Sequence, residues 1–403
     1  MSPAARNIAL YPWFKFFQNL MFWQAIWFLF FQSELSASEA VLIYVASEIS
    51  TTAFEVPSGY LSDRTGRRLT LLLSALAGLF AALLHVVGDG FLAFLVAQIA
   101  FGIHFAFASG TDTSLLYESL TEEGREDEVE QQELKAWRYS FVAMAVSGVV
   151  GGALALWGLR IPYIATAAAF AVLLIVTLTF REPALRNRAT SEWARATRLW
   201  AAMRAPVLRW LFAMWILMYA FGHLPFVFGQ PIIQSILEGI EEGANAPLVS
   251  GIVSSLMIIA SIIASWVAVY VRARVGLVAI LLLALILQIG LAAALAYGSG
   301  LFVIALLLLR KVPEGFSRPF MLARMQQELS DDVRATYLSV QSLVAKLAYS
   351  GSLFFAAGAA SNVGAMTYAE IRVILTGYTV AGAIAFIALA LTAGRSWANV
   401  ARV

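Results

Sequence analysis

Cysteine is absent from all 403 residues, which excludes disulfides, thiol catalysis and Cys-ligated metal sites. Histidine is nearly absent too. His85, His104 and His223 stand far apart with no H-E-x-x-H, so a helix-borne zinc protease site is excluded. No G-x-x-x-x-G-K-[ST] run offers a phosphate cradle, and no G-x-S-x-G elbow presents a nucleophile. The expectation is therefore a non-enzyme with no metal and no cofactor. Charge is scarce: 13% of residues against about 25% in soluble domains. A net charge of +2 is also too small to draw nucleic acid.

Apolar residues are what the chain has in abundance. They make up 61% of it, with mean hydropathy +0.79. Runs of roughly 20 apolar residues recur, each long enough to cross a bilayer as a helix. They place about twelve spans near 10–31, 38–61, 69–87, 90–116, 134–157, 161–180, 208–231, 248–270, 275–297, 300–326, 333–358 and 368–392. Leu10–Phe31 is too long for a signal-peptide core and has no small-residue cleavage site, so it reads as the first span.

Orientation follows from the arginines. Arg64, Arg67, Arg68, Arg125, Arg138, Arg272, Arg274, Arg334 and Arg395 fall on one side with Lys135; the opposite loops offer only Arg160 and Arg372. The positive-inside rule then puts both termini in the cytoplasm. The basic connection Arg181–Arg209 divides the spans six and six. Its spaced arginines, with Trp193 and Trp200, predict a surface amphipathic helix that tethers two bundles. The expected organisation is all-α: bundle 1–180, linker 181–207 and bundle 208–403.

One stretch packs four charges into six residues. It is Gly59-Tyr60-Leu61-Ser62-Asp63-Arg64-Thr65-Gly66-Arg67-Arg68, between the second and third spans. Gly59 and Gly66 suit close approach and a reversing backbone, and Asp63 with its arginines suits charge-assisted bonds at helix ends. This G-x-L-x-D-R-x-G-R-R pattern resembles the signature loop of the major facilitator superfamily. Phe54-Glu55-Val56-Pro57-Ser58 and Ser109-Gly110-Thr111-Asp112 resemble one bacterial branch of it. The resemblance implies alternating access around a central cavity in a bacterial inner membrane, by a monomer that meets a small-molecule substrate, protons and lipids. It also implies a latch of Gly59, Asp63, Arg64, Gly66, Arg67 and Arg68, in which Asp63 caps a helix of the other bundle. Arg67 pairs there with Asp63 and with a span-four acid, for which Asp112 is suitably placed. Gln98 stands where drug antiporters of this fold usually carry arginine, and Ser147–Gly152 keeps the span-five glycines without their proline.

A shift of 210 positions lays Gly66 on Gly276, Arg64 on Arg274 and Glu118 on Glu328, as repeated halves require. Charged groups within spans are costly and mark function by default. In span ten, at 100° per residue, Arg310, Lys311, Glu314 and Arg318 fall at about 0°, 100°, 40° and 80°. An internal ladder Arg310–Glu314–Arg318 leaves positive charge over for an anionic substrate, with Lys346 at similar depth. Pro313 and Gly315 interrupt span ten, and Gly222, Pro225, Gly229 and Pro231 interrupt span seven near His223. Such paired breaks point to a binding site. Gln98, His104 and Asp112 share a face of span four. Gln18, Asn19 and Gln24 of span one are expected to face the cavity, with Lys15 snorkelling to the inner surface. Glu48, Glu55, Asp112 and Glu314 are the candidate proton carriers, because low dielectric favours a neutral carboxyl. The expected activity is proton-coupled export of a small amphipathic or organic-anion compound (drug, metabolite or siderophore-like). Proton- or sodium-coupled uptake of an organic anion or nutrient is the alternative, and a membrane receptor or enzyme the more remote one.

Overall fold

The computed structural model describes residues 2–183, 200–329, 331–358 and 366–397. No strand occurs among them. The helices are α1 (Pro3–Asn19), α2 (Trp27–Glu34), α3 (Ala37–Thr65), α4 (Arg67–Val87), α5 (Gly90–Ala108), α6 (Thr111–Glu122), α7 (Val129–Ala155) and α8 (Ile161–Thr179). After the linker come α9 (Pro206–Glu238), α10 (Ala246–Val275), α11 (Leu277–Tyr297), α12 (Leu301–Leu307), α13 (Val312–Glu328), α14 (Asp331–Gly358) and α15 (Tyr368–Trp397). Of the 181–207 connection only 181–183 and 200–207 are described, so the expected amphipathic helix around Trp193 lies outside the described residues.

Local chemistry sets the helix ends. Ser36 and Glu39 form a reciprocal capping box that starts α3: the Ser36 hydroxyl accepts from the Glu39 N–H, and the Glu39 carboxylate accepts from the Ser36 N–H. Gly66, at φ +106°, stops α3 and lets α4 leave in a new direction. The same punctuation recurs 210 positions later, where Gly276 at φ +84° separates α10 from α11. Gly90 and Gly300, both at positive φ, are offset by the same amount. The helices after the first glycine of each copy, Arg67–Val87 and Leu277–Tyr297, are both 21 residues long. The faint sequence repeat is thus a repeat of backbone geometry.

Among the described residues, eight helical stretches are long and apolar enough to cross a membrane: Arg67–Val87, Gly90–Glu122, Glu126–Ala155, Ile161–Thr179, Pro206–Glu238, Gly243–Val275, Leu277–Tyr297 and Tyr368–Trp397. The other four expected spans differ for physical reasons. The first is broken at Leu20–Met21 by a one-turn 3-10 segment, Phe22–Ala25. The tenth is broken between α12 and α13, where the N–H groups of Leu308, Leu309 and Arg310 each reach back only three residues. The second and eleventh, in α3 and α14, are rich in Ser, Thr and charged residues. Span seven corrects an expectation. Despite Pro225 and Pro231, α9 runs unbroken for 33 residues, so the anticipated pair of broken helices at spans seven and ten is not formed. Bilayer helices keep prolines because neighbouring groups satisfy the freed backbone.

By its contacts the chain divides into two compact units. One holds Met1–Asn187, Glu241–Ser255 and Ser361–Ala365; the other holds Arg188–Ile240, Leu256–Ala360 and Met366–Val403. In the first unit α3 packs along α5, α4 lies against α5 and α8, and α1 lies against α7. The α7 glycines make close approaches there: a Cβ on Gly152 would stand 2.5 Å from the Pro247 carbonyl oxygen. In the second unit α11 packs against α13 and α15, and α9 against α14 and α15.

Candidate functional site

The signature loop forms a bonded knot at the α3–α4 junction. Arg67 reaches Asp63 Oδ1 through Nη1 at 2.6 Å and Glu118 Oε1 through Nη2 at 3.0 Å. Its Nη1 also donates to the Ser62 hydroxyl at 2.8 Å. The acid from the fourth span is therefore Glu118, and the expectation of Asp112 is corrected. The reason is the backbone at Ser109–Gly110. Gly110, at φ +74°, ends the α5 direction and starts α6, which turns Asp112 inward while Glu118 lies six residues further on. Sequence reasoning also missed Glu182. Its carboxylate accepts from the Arg67 N–H at 2.5 Å and the Arg68 N–H at 2.7 Å, neutralising the open end of α4. A Cβ on Gly66 would stand 2.5 Å from that carboxyl carbon, so glycine there serves both the positive φ and the carboxylate. The Arg68 side chain donates to the Leu178 carbonyl, and Arg64 donates to the Tyr60 hydroxyl at 3.0 Å. Gly59 is exposed, and a Cβ placed on it would meet no described atom within 4 Å.

A second cluster lies deeper in the first unit. Asp112, 4% exposed, binds Lys15 Nζ at 2.7 Å. Lys15 is thus held inside by a carboxylate and does not snorkel. Asn19 donates to the Lys15 carbonyl and to Ser140 Oγ. Gln18 is buried with its Oε1 unpartnered among the described residues, and Gln24 is half-buried beyond the Leu20–Met21 break, apart from the α1 face that Lys15, Gln18 and Asn19 share. Tyr11 donates to Glu133 Oε1 at 3.2 Å, and Asn7 donates to Ser119 and to the Arg181 carbonyl.

The expected face of Gln98, His104 and Asp112 is likewise divided. His104 is fully buried against α4, where its Nδ1 lies 2.9 Å from the Ser74 carbonyl and its ring packs on Phe170. Gln98 lies 3.4 Å from His85 Nε2. His85, which the sequence marked only as one of three histidines, is the centre of an aromatic stack: Tyr163 at 4.6 Å and 8°, Phe101 at 5.4 Å and Phe94 at 5.7 Å. Its Nδ1 donates to the Ala81 carbonyl at 2.7 Å and its Nε2 accepts from Gln98, the pattern of one neutral tautomer. At the opposite end of the unit Arg160 joins Glu34 at 2.8 Å, Asp89 at 2.5 Å and the Val86 carbonyl at 2.9 Å. The bonds to Glu34 and then Asp89 raise the pKa of its guanidinium.

In the second unit the helical face expected for span ten does not exist, because Arg310 and Lys311 sit in the break before α13. Lys311 is the N-cap of α13, Pro313 occupies its first turn, and Glu314 adds a negative charge near the positive helix end. The ladder is accordingly Lys311–Glu314–Arg318, at 2.5 and 2.9 Å. Arg310 turns away, with Nε 2.6 Å from Met257 Sδ and Nη1 3.3 Å from the Pro225 carbonyl. Arg318 lies over the Trp215 ring at 5.8 Å. His223 donates from Nδ1 to the Tyr219 carbonyl at 2.7 Å and stacks on Tyr219 and Tyr349. Lys346, Glu48 and Glu55 are each half-buried. Among the described residues no group of three His, Asp or Glu side chains could hold a metal ion.

The sequence profile of the Major Facilitator Superfamily matches residues 12–353. Solved structures that share the fold include the nucleoside transporter NupG (16% identity, 96% of this chain and 99% of that one, TM-score 0.73). A peptide transporter POT in complex with sulfate is also similar (13% identity, 97% and 95%, TM-score 0.75). So is a D-xylose-proton symporter (13% identity, 94% and 96%, TM-score 0.67). No curated protein sequence matches at a significant level.

Proposed function

Because the chain belongs to the major facilitator superfamily and is an integral-membrane secondary transporter, we propose that it exports a small amphipathic or organic-anion compound in exchange for protons. In this reading twelve spans form two six-helix bundles, 1–180 and 208–403, tethered by 181–207. Both termini are cytoplasmic, the membrane is a bacterial inner membrane, and the transporter works by alternating access as a monomer. The carrying observation is the start of α13, where Lys311 and Arg318 share the single carboxylate of Glu314. One positive charge is left over at a helix N-terminus, a setting that favours an anion. Arg310 and Lys346 add cationic character to the same unit. Gln18, Asn19, Gln24, Gln98, His104 and His223 remain the polar candidates for substrate contact.

Proton coupling draws on Glu48, Glu55, Asp112 and Glu314, of which Asp112 and Glu314 are already bonded to cations. The bonds Asp63–Arg67–Glu118 act as the latch, because bonds made in one state only bias the equilibrium between states. Proton- or sodium-coupled uptake of an organic anion or nutrient is the second reading. The test is flux of radiolabelled organic acids in reconstituted vesicles with imposed pH gradients. Export driven by inward protons, weakened in Lys311→Ala and Lys346→Ala, is expected. Flux indifferent to pH removes the proton part, unchanged flux in both variants removes the anion part, and inward flux establishes uptake.

A further inference from the structure

The acidic cluster around Lys15 holds more negative charge than it can neutralise. Glu133 lies on the inward stripe of α7. One turn before it Val129, and about one turn after it Ala136, pack into an apolar cluster with Ile8, Tyr11, Leu116 and Leu120. The Glu133 carboxylate receives the Tyr11 hydroxyl at 3.2 Å. The charged groups that act on it are Asp112 of α6, which repels it, and Lys15 of α1, which attracts it. Lys15 is committed to Asp112 at 2.7 Å. Among the described residues no other cation acts on Glu133. Arg125, near the 3-10 turn before α7, is bonded to Glu128 at 2.6 Å, while Lys135 and Arg138 are exposed on other faces of α7. The 3-10 segment Phe22–Ala25 carries no titratable side chain, and the only one in α8 is Tyr163, in the stack with His85.

We propose that Glu133, beyond the carboxylates already named for coupling, is a proton-exchange site of the first unit, a position at which a proton is bound and released. Two carboxylates beside one ammonium, set against apolar side chains, are balanced when one of them is protonated. Asp112 holds the ammonium, so the proton goes to Glu133. One O–H bond forms on the Glu133 oxygen opposite Oε1, the proton comes from the aqueous phase, and the Tyr11 bond is kept. Neutralising Glu133 removes the repulsion between α6 and α7 and draws α1, α6 and α7 together; losing the proton restores it. The exposed part of Glu133 gives water access for the exchange.

This inference rests on the proton-coupling part of the proposed function, yet its test needs neither substrate nor gradient. Infrared difference spectra of the full-length protein in lipid nanodiscs, between about pH 8 and about pH 5.5, report protonated carboxyl carbonyls above the range where exposed glutamates titrate. A carbonyl band is expected in the wild type, absent in Glu133→Gln, intact in Glu130→Gln, and displaced in frequency in Tyr11→Phe, which removes its hydrogen bond. Should Glu133→Gln fail to fold, Glu133→Asp and Tyr11→Phe still read the same band through its frequency. Identical spectra from wild type and the Glu133 variants, or a band untouched by Tyr11→Phe, overturn the assignment. If the band behaves as expected while vesicle flux ignores pH, the coupling reading falls alone. If flux follows pH while the band does not depend on Glu133, this inference falls alone.

Discussion

The carboxylate at the head of α4 gives a sharp test of how the signature loop is held. Glu182 accepts from two consecutive amides, Arg67 at 2.5 Å and Arg68 at 2.7 Å, and no carbonyl one turn earlier is available to them. A hydrogen bond to a charged group contributes about 1.5–3 kcal/mol net. Here the amides are solvent-exposed, so water replaces part of each bond and about 1–1.5 kcal/mol is the reasonable figure for the pair. Each 1.4 kcal/mol is a factor of ten, so Glu182→Ala should speed hydrogen exchange at these two amides roughly fivefold to tenfold. Amides in the middle of α4 should not change. Gly66→Ala makes the same prediction by another route, because its methyl would stand 2.5 Å from the Glu182 carboxyl carbon at a φ of +106°. Displacing the carboxylate and straining the backbone should together cost about 2–3 kcal/mol. In the double variant the carboxylate is already gone, so the two effects should fall short of additive by about 1 kcal/mol. Exchange-mass spectrometry on peptides covering 62–72 reads all three proteins. Unchanged exchange in Glu182→Ala, or strict additivity in the pair, refutes the reasoning.

Two further outcomes follow from the buried polar groups. Removing Lys15 strands the Asp112 carboxylate, so Lys15→Met should cost about 3–5 kcal/mol, whereas Asp112→Asn leaves Lys15 the Glu133 carboxylate and should cost less, as should the double variant. Thermal unfolding of the four proteins in one detergent checks this; a double variant as poor as the sum would mean the residues act separately. At His85, alanine should cost about 3–5 kcal/mol by opening a cavity among Tyr163, Phe94 and Phe101. Phenylalanine should cost about 1–2 kcal/mol, since it refills the stack and strands only the Gln98 amide. Equal melting temperatures for the two variants would show that packing is not what holds the histidine.

Much of the helical layout is legible because apolar runs and glycines are local signals. Arg67–Val87 and Leu277–Tyr297 begin after glycines that the sequence already places 210 positions apart. The bonding pattern is less legible because it depends on where helices bend. Nothing in Thr111-Asp112 announces that Gly110 takes φ +74°, and this single dihedral exchanges Asp112 for Glu118 as the partner of Arg67. The same holds at Pro313. A proline within an apolar run reads as a kink, whereas here it marks the first turn of α13, which removes Arg310 and Lys311 from the helix. Pro225 and Pro231 carry the same signal and α9 absorbs both. Lys15–Asp112 and Glu182–Arg67 join residues about a hundred positions apart, beyond any periodicity.

The two glycine corners have unequal company. Around Gly66 stand a carboxylate, two arginines and an aspartate, whereas Gly276 is followed by leucine, and no described atom lies within 4 Å of where a side chain on it would begin. Duplicated scaffolding has therefore left one corner crowded and one vacant. The vacant corner is the natural port for a fluorescent domain or affinity tag: a loop spliced in at Gly276 would start where no described atom lies within 4 Å, while the same graft at Gly66 would evict Glu182.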